Sequence, residues 1–169
     1  RRQRQMCIRD RLYYAHKNTG RPLKEGKWFE KFRSNYLDVD NDALYPFGYG
    51  LSYTTFRFSD ITLNRSSIGM DNELVASVTV TNTGDRAGSE VVQLYIRDLV
   101  GSVTRPVKEL KGFEKIYLQP NESRTVRFTI APEMLKFYNA DLKFVAEPGD
   151  FDVMIAVSYT HLRAHETEL

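Results

Sequence analysis

The chain has 169 residues, 41% of them apolar and 27% charged, with a formal net charge of +2. This composition excludes a disordered chain, and no apolar run approaches the ~20 residues that span a bilayer. The charge is too small to point to nucleic acid, and much of it comes from Arg1, Arg2, Arg4, Arg9 and Arg11.

The single cysteine, Cys7, allows no intrachain disulfide. That suits the cytoplasm and the periplasm equally. Residues 2–11 are basic and follow neither helical nor strand periodicity. Residues 157–169 begin where the alternating run Phe151–Ala156 is still well formed. Both ends resemble translated sequencing-adapter sequence, so residues 1–11 and 157–169 are expected to lie outside the protein proper. His161 and His165 stand four apart, a spacing that could present two metal ligands on a helix. Leu162, however, occupies the place where a zinc protease needs glutamate.

Residues 12–44 are mixed. Leu12, Tyr13 and Tyr14 fit the end of a strand, and Thr19-Gly20-Arg21-Pro22 is a turn signal. Trp28, Phe29, Phe32, Tyr36 and Leu37 follow among charges, as a short helical turn or an irregular loop whose rings need a partner surface. Asp38, Asp40 and Asp42 occupy the first ligand positions of a calcium loop. Ala43 replaces its glycine and Tyr49 its final glutamate, so an acidic surface loop is expected instead.

From Thr55 onward the period becomes two. Phe56, Phe58 and Ile61 open a strand that slips near Ser59-Asp60. Ala76, Val78 and Val80 alternate with Ser77, Thr79 and Thr81, a half-buried strand closed by Asn82-Thr83-Gly84-Asp85. Val92, Leu94 and Ile96 alternate with Gln93, Tyr95 and Arg97. Leu110, Phe113, Ile116 and Leu118 lie in a segment that Gly112 interrupts, where a bulge fits. Val126, Phe128 and Ile130 alternate with Thr125, Arg127 and Thr129. Ala131–Leu135 suits one helical turn, with Pro132 near its start. Phe137-Tyr138 and Leu142–Phe144 bracket Asn139-Ala140-Asp141, and Pro148-Gly149-Asp150 turns into Phe151, Val153 and Ile155. About seven strands with turn signals every 8–12 residues predict an all-β sandwich. Without the cysteine pair and tryptophan of an immunoglobulin domain, the fibronectin type III-like form is expected.

The stretches YYAHKNTGRP (13–22), ALYPFGYGLSYTTF (43–56), VTNTGDRAGSEVVQLYIRD (80–98), RPVKELKGFEKIYLQPNESRTVRF (105–128) and FVAEPGDFDVMI (144–155) follow one another in an order that resembles the C-terminal region of glycoside hydrolase family 3. The resemblance implies that residues 12–54 are the end of that family's α/β sandwich domain plus a linker, and that 55–156 are its fibronectin type III-like domain. The family's chemistry is retaining hydrolysis of terminal β-linked sugars by two carboxylates ~5–5.5 Å apart. Both belong to segments of the family upstream of this chain, so the resemblance transfers no catalytic residue and implies no cofactor. It implies as partners the barrel and α/β domains of the same enzyme, a β-linked glycoside for the whole protein, and a periplasmic or secreted location.

Within that frame the candidate site residues are Tyr45, Phe47, Gly48, Tyr49, Gly50 and Tyr53. The rings suit interdomain packing, with each hydroxyl satisfied at the edge, or an active-site rim that stacks on sugar. The two glycines permit sharp turns between them. His16, with no second histidine or cysteine nearby, reads as structural. Glu109, Glu114 and Glu147 read as surface carboxylates. Asn64 and Asn121 match the glycosylation acceptor pattern, which is common by chance. Two other readings compete: a free-standing carbohydrate-binding module, which needs an exposed aromatic row on one face, and a plain interaction module, which has no use for the YPFGYGLSYT approach.

Overall fold

The computed structural model describes residues 14–17, 21 and 43–158, and the backbone of 162–168. The pattern of alternating apolar residues resolves into strands β1 (Phe56–Phe58), β2 (Thr62–Leu63), β3 (Leu74–Asn82), β4 (Gly88–Asp98), β5 (Glu109–Leu118) and β6 (Ser123–Ile130). A 3-10 turn (Pro132–Leu135) follows, then β7 (Phe137–Tyr138), β8 (Phe144–Val145), β9 (Asp150–Ala156) and β10 (Leu162–Glu168). The strand expected to slip at Ser59-Asp60 is interrupted there: β1 and β2 both pair antiparallel with β3, one at each end. β6 takes the other edge of β3 from Leu74↔Ile130 to Thr81↔Ser123. The second sheet runs β10-β9-β4-β5, and β7-β8 is a separate hairpin.

Crossing from β3 to β4 and back from β5 to β6 sets the two sheets face to face. Their inward positions make one core: Ala76, Val78 and Val80 on β3, Val126 and Ile130 on β6, Leu94 on β4, Ile116 on β5, Val153 and Ile155 on β9. Burying each such side chain is worth about 1.5–3 kcal/mol. The bulge suggested by Gly112 is present. The β4–β5 register jumps between Leu94↔Gly112 and Tyr95↔Leu110, leaving Lys111 unpaired. A side chain at Gly112 would crowd the Phe128 ring, its Cβ lying 3.3 Å from Cδ1. The missing Cβ is what lets Phe128 cross the core.

Two expectations change. Phe113 is 70% exposed and Tyr117 53% exposed, so the spacing that grouped Phe113 with Ile116 and Leu118 does not follow strand parity. Tyr138, Leu142 and Phe144 also face outward, on the β7-β8 hairpin. The backbone of Leu162–Glu168 lies along β9 from Leu162↔Ala156 to Glu168↔Asp150. The acidic stretch Asp38–Asp42, the aromatic run 28–37 and the side chains of His161 and His165 lie outside the described residues.

Candidate functional site

β4, like the end of β9 beside it, is covered on both faces. Its outward residues Gln93 and Tyr95 are as buried as the inward Val92 and Leu94. The cover comes from two segments that precede the sandwich. The His16 carbonyl accepts from the Val107 N–H at 2.9 Å, and Lys17 bridges to Pro106, which holds the N-terminal segment against the start of β5. Tyr14 packs beside Tyr95, Met154 and Leu110, and its ring stacks on Phe47 with centroids 4.5 Å apart. Residues 14–17 and the linker 43–54 thus form a strip along the outer face of the second sheet.

The path of the linker has two anchors. At Gly48 the backbone takes φ +80°, and an added Cβ would lie 2.5 Å from the Gln93 side-chain amide. That amide is fixed, because Gln93 Nε2 donates to the Val157 carbonyl at 3.1 Å and Tyr95 Oη donates to Gln93 Oε1 at 2.5 Å. Only glycine meets both demands cheaply. Gly50 has neither a positive φ nor a neighbour within 4 Å of a would-be Cβ, so the turn needs Gly48 alone.

The second anchor is Asn82. It continues the inward parity of Ala76, Val78 and Val80 and is fully buried. Its Oδ1 accepts from Thr54 Oγ1 at 2.6 Å and from the Gly84 N–H at 3.1 Å. Its Nδ2 donates to the Arg86 carbonyl at 2.7 Å and the Leu118 carbonyl at 3.2 Å. Its backbone N–H and C=O pair with Glu122 and Asn121. The neutral side-chain amide therefore ties the end of the linker to the β3–β4 turn and the end of β5, and the backbone of the same residue reaches the β5–β6 turn.

The six candidate residues are brought together only in part. Tyr45 and Tyr49 are in ring contact at 5.2 Å, and the Tyr49 N–H donates to the Pro46 carbonyl. Phe47 meets Tyr14 rather than its linker neighbours. Tyr53 stands 93% exposed, beside Leu51 at 91%. Between the linker and the sandwich lies a cavity of about 230 Å³ lined by Gly48, Tyr49, Gly50, Leu51, Ser52, Ser89, Glu90, Val157 and Ser158. Glu90 is the charged residue in that lining, and burial pushes its carboxyl above the ordinary range despite a 2.8 Å hydrogen bond from the Val91 N–H. Nothing in the sequence marks Glu90; it is one polar residue near the start of β4.

The opposite end of β4 carries the remaining charges. The Arg105 guanidinium lies 4.1 Å from the centre of the Phe137 ring, 3.6 Å from Asp98 and 3.3 Å from Glu109. Burial raises the Asp98 carboxyl, and Arg105 offsets part of that rise. Glu147 accepts from both the N–H and the hydroxyl of Ser102, which hold its carboxyl below the usual range. Glu109 and Glu147 are thus tied into an ionic cluster, whereas Glu114 is exposed as expected. Among the described residues, no group of three or more His, Cys, Asp or Glu is placed to hold a metal ion.

Residues 90–159 match the fibronectin type III-like domain family. The periplasmic beta-glucosidase of Salmonella typhimurium is 51% identical over 158 residues, 94% of this chain and 20% of the relative. A beta-glucosidase from Bacteroides ovatus is 49% identical over 125 residues, 73% of this chain and 17% of that protein. The crystal structure of a beta-glucosidase from Listeria innocua in complex with glucose superposes with a TM-score of 0.88 at 41% identity, covering 93% of this chain and 22% of that one.

This chain carries the fibronectin type III-like domain of a family 3 glycoside hydrolase.

It spans about a fifth of the length of these relatives and matches their C-terminal part, so further domains belong to the whole enzyme. The match of 158 residues is longer than 12–156 and therefore enters at least one of the two end segments. No helix among the described residues is long and apolar enough to cross a membrane.

Proposed function

We propose that this family 3 segment is an accessory domain that braces the catalytic part of a β-glucosidase-like enzyme, with residues 12–54 closing the preceding α/β domain and 55–156 forming the sandwich. The observation that carries this reading is the double cover of β4. A strip of preceding chain is locked onto the sandwich by Gly48 and Asn82 while Tyr45, Tyr49, Leu51 and Tyr53 remain exposed along it. A free-standing domain has no use for a rigidly held row of exposed rings at its entrance, whereas a domain boundary buries one. The two catalytic carboxylates belong to the rest of the enzyme, which would release terminal β-linked sugars with retention and without a cofactor. A periplasmic or secreted setting is supported by the name of the Salmonella relative.

The test replaces the matching segment of the Salmonella enzyme by this chain and assays aryl β-glucoside and β-xyloside. The chimera should turn over substrate and the 169-residue chain alone should not. Turnover by the chain alone, or a chimera that folds but is inactive, would refute the bracing role.

One observation favours a second reading, a carbohydrate-binding face. Phe113 and Tyr117 stand exposed on one side of β5, four residues and therefore about 13 Å apart. Retention of the chain on insoluble β-glucan, lost on Phe113→Ala, would select that reading.

A further inference from the structure

The cavity between the linker and β4 contains an electrostatic imbalance. Glu90 is half-buried, its carboxylate receives the Val91 N–H, and no Lys, Arg or His among the described residues pairs with it. No other residue lining the cavity carries a charge. A carboxylate drawn partly out of water without a cation costs free energy, and folds that keep one normally supply a partner. The cavity, at about 230 Å³, far exceeds the ~30 Å³ share of one water. Two apolar side chains of its lining reach solvent, Leu51 at 91% exposed and Tyr49 at 48%.

We infer that this cavity is the socket for a cationic side chain, a guanidinium or ammonium supplied by the part of the enzyme outside this chain, which pairs with Glu90 while the apolar surface around it packs on Tyr49 and Leu51. The occupant is set by charge complementarity, and the inference rests on the bracing role proposed above. Such a pair would be enclosed on docking, where charge-assisted hydrogen bonds are strongest.

The experiment compares Glu90→Gln in the 169-residue chain and in the Salmonella chimera. In the chain alone, the substitution removes an uncompensated charge, so the urea midpoint should stay or rise. In the chimera it orphans the incoming cation, so protease cleavage within residues 43–54 should accelerate about tenfold. Equal destabilisation of both proteins would overturn the inference, because Glu90 would then serve the sandwich itself. Unchanged cleavage in the chimera would overturn it as well. An unsubstituted chimera that is inactive, or whose halves unfold independently, defeats the bracing role instead, which separates the two failures. Should the chimera not fold, NMR of the chain with argininamide and with glucose as probes decides. Argininamide should move the Glu90 carboxyl resonance, and a shift from glucose alone, or from neither probe, rejects the cationic partner.

Discussion

The two ends of β4 solve the same problem with different chemistry. At the start of β4, the neutral amide of Asn82 satisfies four hydrogen-bond positions of the linker, the β3–β4 turn and β5. At the far end, Arg105 is held by two carboxylates and an aromatic face, with its Nε buried and without a hydrogen bond. A fully satisfied neutral network is indifferent to salt and pH, while an ionic cluster is sensitive to both. The end that fastens the linker is thus built to be constant, and the variable chemistry sits away from it.

Asn82→Leu should break the first end outright. It strands four partners, of which the Thr54 hydroxyl and the Leu118 carbonyl are in buried bonds at about 1–3 kcal/mol each, while the Gly84 N–H and the Arg86 carbonyl are partly open to water, so a loss of roughly 2–6 kcal/mol is expected by urea denaturation. The loss should be the same in low and high salt.

Arg105→Met should cost less, about 2 kcal/mol, because the cluster is partly open to water. Here the loss should depend on pH. Asp98 already titrates above its ordinary value through burial, with Arg105 opposing the rise. Removing Arg105 raises that value further. A carboxyl whose folded pKa exceeds its unfolded one contributes stability at low pH and loses it as pH rises through the folded value. The deficit of the variant should therefore shrink as the pH is lowered from 7 to 4. A constant deficit would mean that Arg105 acts through its packing on Phe137. Glu147, held below its ordinary value, carries the opposite sign: its contribution is present at neutral pH and fades as the pH falls through its folded value.

Gly48→Ala should have the smallest effect on the sandwich, about 1–2 kcal/mol for a left-handed alanine pressed against the Gln93 amide. Its signature is local. The backbone amides around Gln93 should lose hydrogen-exchange protection out of proportion to the change in global stability, because displacing the Gln93 side chain loosens the linker that covers this part of β4.

Much of the sandwich was legible because one-sided burial imposes a period of two. The interrupted first strand, the Gly112 bulge and the Pro132 turn could all be placed from breaks in that period. β4 was harder to read. Gln93 and Tyr95 look like solvent-facing residues until Tyr14 and Phe47, distant in sequence, close over that sheet. Phe113 misled because it was grouped with Ile116 and Leu118 across an odd spacing of three, although the register from Gly112 to Leu118 is unbroken and odd spacings there change face. Asn82 left a signal that went unused: a polar side chain at the next inward position after Ala76, Val78 and Val80. The cavity around Glu90 left none, since three separate segments build it and no single one has a recognisable pattern.

Asn82 also bears on the order in which the chain assembles. Its partners Thr54 and Leu118 lie 28 and 36 residues away, and β3 cannot complete its pairing until β6 arrives. Closing such long loops is slow and must precede any return from the contacts they enable. The amide is satisfied only once the linker, the β3–β4 turn and β5 have met, so it is expected to close after the rate-limiting step. Its loss should then leave the folding rate nearly untouched and appear instead as faster unfolding. Asn82 is in that sense a latch on the finished molecule, governing how long the linker stays fastened rather than how quickly the sandwich is made.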